Sequence, residues 1–303
     1  MKIAYIGSFK YLYDEQGIAL ALEELGHSVE RYAEDNFTFE TIAKILASKP
    51  DFLLFAKLKI DLRLRGKLLE HCKKHKVKTV CWMPDLYFGL GRQFRVDTKD
   101  PIFLADFVCS PDGGNDEQWK AREINHHLLR QGIPLSETST GASTTRPFDI
   151  VFVGSQNPEF KYRQELLRRL REKYQKRFQW YGRDYTHEVR GSDLNDLYAS
   201  VKVVIGDSVY SPHYWSNRVY ETLGRGGFLI HPRIPGLDKE FRYYDHLVPY
   251  DYGDFDGLFE KIDYYLEHDD ERLAIQKSGH KIVAAKYTII HRVKELLHIC
   301  TQS

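Results

Sequence analysis

The chain has 303 residues, of which 42% are hydrophobic and 29% are charged, with 44 Lys and Arg against 43 Asp and Glu. This composition is typical of a folded globular protein and excludes a disordered or fibrous chain. The net charge of +1 provides no overall field that would attract nucleic acid or an anionic membrane surface. At roughly 100–200 residues per domain, the length favours two domains.

The cysteines, at positions 72, 81, 109 and 300, form no C-x-x-C pair and have no histidine at zinc-finger spacing. This pattern predicts reduced thiols in the core and neither a structural zinc site nor a disulfide framework. The apolar run after Met1 is too short for a signal peptide, and no uncharged stretch of about 18 residues could span a bilayer. These observations predict a cytoplasmic protein.

Short apolar runs alternate with amphipathic segments along the first half of the chain. The predicted elements are strand 3–7, helix 15–25, strand 28–32, helix 39–48, strand 51–56, helix 62–75, strand 77–82, strand 106–109, helix 116–123 and a short strand at 126–129. Strands that alternate with helices predict a parallel sheet covered on both faces.

Residues 136–147 (SETSTGASTTRP) contain no large apolar side chain, which is the composition of a connector. The alternation then restarts with strand 149–154, helix 158–174, strand 177–182, helix 194–200, strand 202–207, helix 216–224, strands 227–231 and 246–249, and helices 255–268, 270–284 and 289–299. We therefore expect an α/β protein with two Rossmann-like, doubly wound domains, 1–140 and 141–303, that face each other across a cleft. The terminal helix could also pack back on the first domain.

The usual nucleotide-binding fingerprints are missing from the sequence. There is no G-x-x-x-x-G-K-[ST], and the first strand ends in a lone Gly7 rather than in G-x-G-x-x-G. The sequence thus gives no support to an ATPase or to a dinucleotide-binding enzyme of the common type.

The segment 211–241 (SPHYWSNRVYETLGRGGFLIHPRIPGLDKEF) contains the most informative pattern. A strand leads through a Pro-containing loop to a helix whose predicted cap is Ser216, so that free backbone N–H groups lie at the carboxyl edge of the sheet. An anion could bind there. Glu221 lies further along this helix, where its carboxylate could accept hydrogen bonds from the two vicinal hydroxyls of a ribose.

This segment resembles the C-terminal half of the CgeB-like glycosyltransferases, which have two Rossmann-like domains in the GT-B arrangement. Their pattern S-x-R-x-[YF]-E-x-L-x-x-G-G is matched by Ser216, Arg218, Tyr220, Glu221, Leu223, Gly226 and Gly227, and P-G-L-x-x-x-F by Pro235, Gly236, Leu237 and Phe241. Upstream, Phe152-Val153-Gly154 and Trp82-Met83-Pro84-Asp85 resemble other elements of these enzymes.

The resemblance implies a transferase that moves a sugar from a nucleotide-diphosphate sugar, bound by the second domain, to an acceptor hydroxyl presented by the first domain, with the donor as substrate and no further cofactor. The donor-binding residues that it implies are Gly154, Ser155, Arg163, Tyr181, Gly182, Ser216, Asn217, Arg218 and Glu221. Three of these residues also have a simpler interpretation. Glu221 and Arg218 could be exposed surface residues, and Arg163 could belong to a solvated helix face, because the helix that carries it is basic throughout.

Two residues are candidates for catalysis. Asp85 follows an apolar strand and Pro84, where its carboxylate could take the acceptor proton or simply form a turn. His213 could transfer a proton, contact the sugar or have only a structural function. It stands eight positions before Glu221, where retaining relatives often carry a second Glu, so the stereochemistry of transfer stays open. No D-x-D element stands at a predicted strand end in the second domain, which predicts a site without a metal ion.

The acceptor is suggested by nine basic residues between Lys57 and Lys78, opposed by Asp61 and Glu70. They form either a solvated helix face or a surface for an anionic acceptor: a phosphorylated glycan, a lipid head group or, with less support because aromatic residues are not interleaved, hydroxymethylated DNA. A nucleotide-sugar epimerase and a non-catalytic protein that binds sugar nucleotides or glycans are the alternative functions.

Overall fold

A computed structural model of the chain describes residues 1–9, 15–155, 160–182 and 188–301. The chain divides into two compact units, one formed by Met1–Pro134 with Ile289–Ser303 and the other by Leu135–Thr288. The predicted start of a helix at residue 158 lies outside the described residues. Within them, no helix combines the length and the apolar character needed to cross a membrane.

The first unit begins with six strands and five helices. They are β1 (Lys2–Gly7), α1 (Glu15–Glu24), β2 (Ser28–Ala33), α2 (Phe39–Ala47), β3 (Phe52–Phe55), α3 (Leu62–Lys74), β4 (Lys78–Trp82), α4 (Gln93–Asp97), β5 (Phe107–Ser110), α5 (Asp116–Lys120) and β6 (His126–Leu128). The sequence pattern did not predict the five-residue α4, because so short a helix shows too little of the helical period.

The second unit contains five further strands, and the terminal helix follows it. The elements are β7 (Ile150–Val153), α6 (Lys161–Tyr174), β8 (Phe178–Tyr181), α7 (Gly191–Ser200), β9 (Val203–Ile205), α8 (Arg218–Gly224), β10 (Leu229–Pro232), α9 (Leu237–Glu240), β11 (Val248–Tyr250), α10 (Phe255–Glu267), α11 (Asp269–Lys286) and α12 (Ile289–Thr301).

The sheet of the first unit has the order β2-β1-β3-β4-β5-β6, and its paired strands are all parallel. Alternate residues of β1 belong to different cores. Ala4 and Ile6 pack in the cluster that includes residues of α2 and α3, whereas Ile3 and Tyr5 pack with residues of α1 and α12. The sheet is therefore buried on both faces, as the continuous apolar strand predicts.

The sheet of the second unit has the order β11-β10-β9-β7-β8, again with parallel pairs. Ile150 and Phe152 of β7 pack in the cluster that includes residues of α6 and α10, and Val151 packs with residues of α7. The predicted pair of parallel α/β sheets is thus confirmed. Parallel strands end at one edge of the sheet, where ligands commonly bind in such folds.

The predicted connector, residues 136–147, makes close contacts with α7. Asn195 Nδ2 donates to the carbonyl of Ser139 at 2.9 Å, and the backbone N–H of Ala142 donates to Asp196 Oδ1 at 2.7 Å. A Cβ atom at Gly141 would lie 2.3 Å from the carbonyl carbon of Asn195. The small residues of this segment therefore let its backbone pack directly on a helix.

Two helical glycines provide a test of the packing. A Cβ at Gly279 in α11 would lie 2.4 Å from the backbone oxygen of His246, whereas a Cβ at Gly66 in α3 would meet no described atom within 4 Å. We expect Gly279→Ala to lower the free energy of unfolding by about 1–3 kcal/mol through overpacking. Gly66→Ala should raise it by about 0.5–1 kcal/mol through helix propensity. Chemical denaturation measures both, and changes of the same sign would contradict this packing.

Candidate functional site

Two loops meet at the carboxyl edge of the second sheet. Gly154 follows β7 and Gly182 follows β8, and a Cβ at Gly182 would lie 2.3 Å from the carbonyl oxygen of Gly154. That oxygen accepts a hydrogen bond from Trp180 Nε1 at 2.8 Å. Gly182 therefore allows a close approach of the two backbones that a larger residue would prevent. The ring of Tyr181 instead packs on the α7 side of the sheet, and Arg183 and Asp184, the next residues in the sequence, lie outside the described residues.

The carboxylate of Asp207, which follows β9, binds two arginines. Arg163 Nε in the first turn of α6 lies 2.6 Å from Oδ2, and Arg218 Nη1 at the start of α8 pairs with Oδ1. The same guanidinium groups fix the loop after β7, because Arg163 Nη1 donates to the carbonyl of Ser155 at 2.5 Å and Arg218 Nε donates to that of Val153 at 2.8 Å. Two predicted donor-binding arginines thus share one buried anchor.

Burial and the neighbouring charges have opposite effects on the pKa values of this cluster. Asp207 is only 2% exposed; burial raises the pKa of its carboxyl group, but Arg218 and Arg163 outweigh it and the pKa lies below its ordinary value. Burial lowers the pKa of Arg218, and Asp207 acts against that effect. Two guanidinium groups against one carboxylate leave one net positive charge at the edge of the sheet, which suits an anionic ligand.

The sequence interpretation missed Asp207 and its neighbour His231. The signal for Asp207 was available, since an acidic residue directly follows the apolar strand and Gly206. His231 is buried, its Nδ1 lies 2.8 Å from the carbonyl oxygen of Pro232, and burial lowers its pKa to about 4. His231 is therefore neutral at pH 7 and adds no charge to the cluster.

Ser216 and Asn217 both lie at the start of α8. The helix α8 begins at Arg218, and Asn217 occupies the cap position without a capping hydrogen bond from its side chain. Ser216 Oγ accepts from the backbone N–H of Arg218, two residues along the chain, at 3.2 Å, which is a usual capping bond and supports the predicted cap. Asn217 Oδ1 and the nearby Ser208 Oγ are buried, and neither has a hydrogen-bond partner among the residues that the structure describes.

Glu221 is held by a chain of charged groups. Its Oε1 accepts from Asn217 Nδ2 at 3.2 Å and its Oε2 from Arg225 Nε at 3.0 Å. Arg225 is only 1% exposed, pairs with Glu137 and donates to Asn195 Oδ1 at 2.5 Å. Burial lowers the pKa of Arg225, but Glu221 and Glu137 outweigh it and hold the pKa above its usual value. The carboxylate of Glu221, 17% exposed, is thus fixed in orientation and reachable from solvent.

His213 lies on the loop before α8, with backbone φ 57°. Its N–H donates to the carbonyl of Pro235 at 2.8 Å, and a Cβ at Gly236 would lie 2.2 Å from the Nδ1 atom of His213. These contacts give His213 a packing function in the loop. Its part in proton transfer stays a prediction.

Asp85 follows β4 in the first unit and is paired with two cations. Its Oδ1 lies 2.9 Å from Arg92 Nη1, and its other oxygen pairs with Lys57. Burial raises the pKa of Asp85, but Lys57 and Arg92 outweigh it and the pKa lies below its ordinary value. Because a general base works best with a pKa near the working pH, this pairing favours an orienting function, and the role of Asp85 as a base stays a prediction.

Four of the nine basic residues in the stretch 57–78 are paired with carboxylates of the chain. Lys57, Lys59, Arg65 and Lys67 form ion pairs with Asp85, Glu34, Asp100 and Glu70, respectively.

The four cysteines are buried and form no disulfide bonds. Across the described ranges, no group of three or more His, Cys, Asp or Glu residues is arranged to hold a metal ion.

Comparisons with known proteins agree with this geometry. Residues 163–298 match the model of the glycosyl transferase-like family, and no curated protein matches the chain. The segment matched contains both arginines of the Asp207 cluster and Glu221.

Solved structures share the fold along the whole chain. HepE from Anabaena, in complex with UDP and glucose, has a TM-score of 0.66 and 11% identity, over 100% of both chains. Sucrose-phosphate synthase from Thermosynechococcus elongatus has a TM-score of 0.66 and 13% identity, over 100% of this chain and 98% of the other. A glycosyltransferase from Rickettsia africae has a TM-score of 0.61 and 15% identity, over 99% and 98%. At these identities the likeness shows the fold.

The predicted fold class is therefore confirmed: the chain has two Rossmann-like α/β domains that match the fold of GT-B glycosyltransferases, and its residues 163–298 match the model of the glycosyl transferase-like family.

Proposed function

We propose that the chain transfers a sugar from a nucleotide-diphosphate sugar to an acceptor hydroxyl, and that the second unit binds the donor. The observation that carries this proposal is the pairing of Arg163 and Arg218 with Asp207 at the carboxyl edge of the sheet. It places a net positive charge beside the loop after β7, inside the segment that matches the transferase family. The UDP and glucose in the HepE complex support a nucleotide sugar as donor.

In this proposal the diphosphate lies against the loop after β7, and the two guanidinium groups stabilise the charge that develops as the sugar departs. Both side chains are already fixed by Asp207 and by backbone carbonyls, so little reorganisation accompanies transfer. The relation to the CgeB-like enzymes, which rests on the pattern from Ser216 to Gly227, is part of the same proposal.

Glu221 is proposed to accept hydrogen bonds from the two ribose hydroxyls. A carboxylate oxygen can accept more than one hydrogen bond, and the bonds from Asn217 and Arg225 hold the group in one orientation. Arg225 is in turn held by Glu137 and Asn195. Glu137 and Arg225 would therefore act as positioning residues that keep Glu221 fixed before the donor arrives.

The transfer is proposed to be independent of metal ions. Arg163 and Arg218 supply positive charge where a divalent cation would otherwise neutralise the diphosphate. An anionic acceptor is not included, because four of the cations that suggested it are paired with carboxylates of the chain itself.

Calorimetry with UDP, GDP, ADP and CDP tests the donor site. We expect one of them to bind, and Glu221→Gln to weaken that binding by about 1.5–3 kcal/mol, the value of hydrogen bonds to a charged group. The control Glu260→Gln changes an exposed glutamate of α10 and should leave the affinity unchanged.

A second ligand distinguishes direct contact of Glu221 with the ribose from an indirect effect of Glu221 on the fold. The 2′,3′-dideoxy form of the nucleotide lacks both hydroxyls, so Glu221→Gln should weaken its binding much less than that of the parent nucleotide. Equal losses for the two ligands would contradict ribose binding by Glu221. Failure of all four nucleotides to bind the native chain would contradict the proposed function itself.

Measurement of turnover in the presence of a chelator tests the prediction that transfer needs no metal ion. We expect hydrolysis of the nucleotide sugar, or its transfer where an acceptor is present, to continue at an unchanged rate in excess EDTA, because the guanidinium groups perform the electrostatic stabilisation. Loss of turnover that Mg²⁺ or Mn²⁺ restores would show that a cation is required. Conversion of the donor to its epimer without any acceptor would identify an epimerase instead.

A further inference from the structure

A second concave surface lies at the other end of the same sheet edge, beyond β10 and β11. It encloses about 530 Å³, within the range of small-molecule pockets. Its lining comes from the loops that follow β9, β10 and β11, and it includes Tyr210, Arg233, Asp238, Tyr243, Asp251 and Tyr252. None of these residues belongs to the proposed donor site.

One wall of this aromatic pocket is a supported platform of tyrosine rings. Tyr210 is 53% exposed and Tyr252 is 36% exposed, and their ring centroids lie 5.0 Å apart. Tyr162 stacks on Tyr252 at 4.0 Å, and its hydroxyl donates to Tyr250 at 3.0 Å. The planes of Tyr210 and Tyr252 are inclined at 49°, so the two rings line a concave apolar surface, and the ring of Tyr252 is fixed from behind at little conformational cost.

The opposite wall is polar. Arg233 Nε lies 3.0 Å from Asp251 Oδ1, and the guanidinium group of Arg233 lies 4.9 Å from the ring centroid of Tyr243. Asp238 contributes a second carboxylate. One guanidinium group against two carboxylates disfavours a phosphate or another anion, whereas carboxylates accept hydrogen bonds from hydroxyls and the guanidinium group donates to them.

We propose that the aromatic pocket binds a neutral sugar ring of the acceptor, an inference that rests on the proposed transfer reaction. A pyranose has an apolar face of C–H groups and a rim of hydroxyls, which match the tyrosine platform and the Arg233–Asp251 wall. The pocket shares an edge of the sheet with the donor site, and the loop between β9 and α8 contributes Tyr210 to the pocket and Asn217 to the donor site. The acceptor is thus a glycan with at least one uncharged ring.

Saturation-transfer NMR on the full chain tests this proposal without any nucleotide. The probes are maltose, cellobiose, lactose and N,N′-diacetylchitobiose at millimolar concentration, with glucose 6-phosphate as the anionic comparison. We expect at least one disaccharide to bind, and Tyr210→Ala to weaken it about tenfold through loss of the stacking surface. Asp251→Asn should weaken it to a similar degree by removing a charged acceptor of hydrogen bonds.

The matched control is Tyr264→Ala, an exposed tyrosine of α10 whose ring stacks on His268 outside the pocket; it should bind as the native chain does. Absence of binding by all four disaccharides, binding of glucose 6-phosphate alone, or equal binding by Tyr210→Ala would each overturn the proposal. Disaccharide binding in a chain that binds no nucleotide would support the sugar site and overturn only the transfer reaction.

Discussion

The candidate donor site depends on one buried carboxylate. Asp207 lies between Arg163 and Arg218, and loss of one partner from such a buried pair typically costs about 3–5 kcal/mol because the remaining charge is left uncompensated. The same two arginines hold the carbonyls of Ser155 and Val153. The shape of the loop after β7 and the positive charge beside it are thus set by a single interaction, before any ligand is present.

A second set of charges connects the predicted connector to the same site. Glu137 and Glu221 share Arg225, and Asn195 bonds both to Arg225 and to the backbone of Ser139. The segment that precedes β7 is therefore part of the support of the candidate ribose-binding carboxylate. A change in this segment would act on Glu221 through Arg225 rather than through direct contact with the donor.

The sequence was sufficient to predict the fold, because buried parallel strands are continuous apolar runs and the helices between them have apolar residues at helical spacing. β4 and α3, for example, begin and end within about a residue of the prediction. The contacts of the site could not be predicted in the same way. Asp85 and Lys57 are 28 positions apart in the sequence, and their pairing follows from the alignment of β3 and β4.

The residue at which α8 begins could not be predicted from the sequence alone. Ser216 and Asn217 are both good capping residues; the hydroxyl of Ser216 makes the capping bond, whereas the helix is assigned from Arg218, whose side chain also contacts Asp207 and Val153. Small residues in the connector likewise suggested only a link between domains, although the contact of Gly141 with Asn195 depends on their small size.

A crystal structure of the chain with the nucleoside diphosphate that it binds would locate the donor site. We predict that the diphosphate lies against Ser155, within hydrogen-bond reach of Arg163 or Arg218, while both arginines keep their contacts with Asp207. A diphosphate bound elsewhere, in the aromatic pocket or on the first unit away from these arginines, would contradict it.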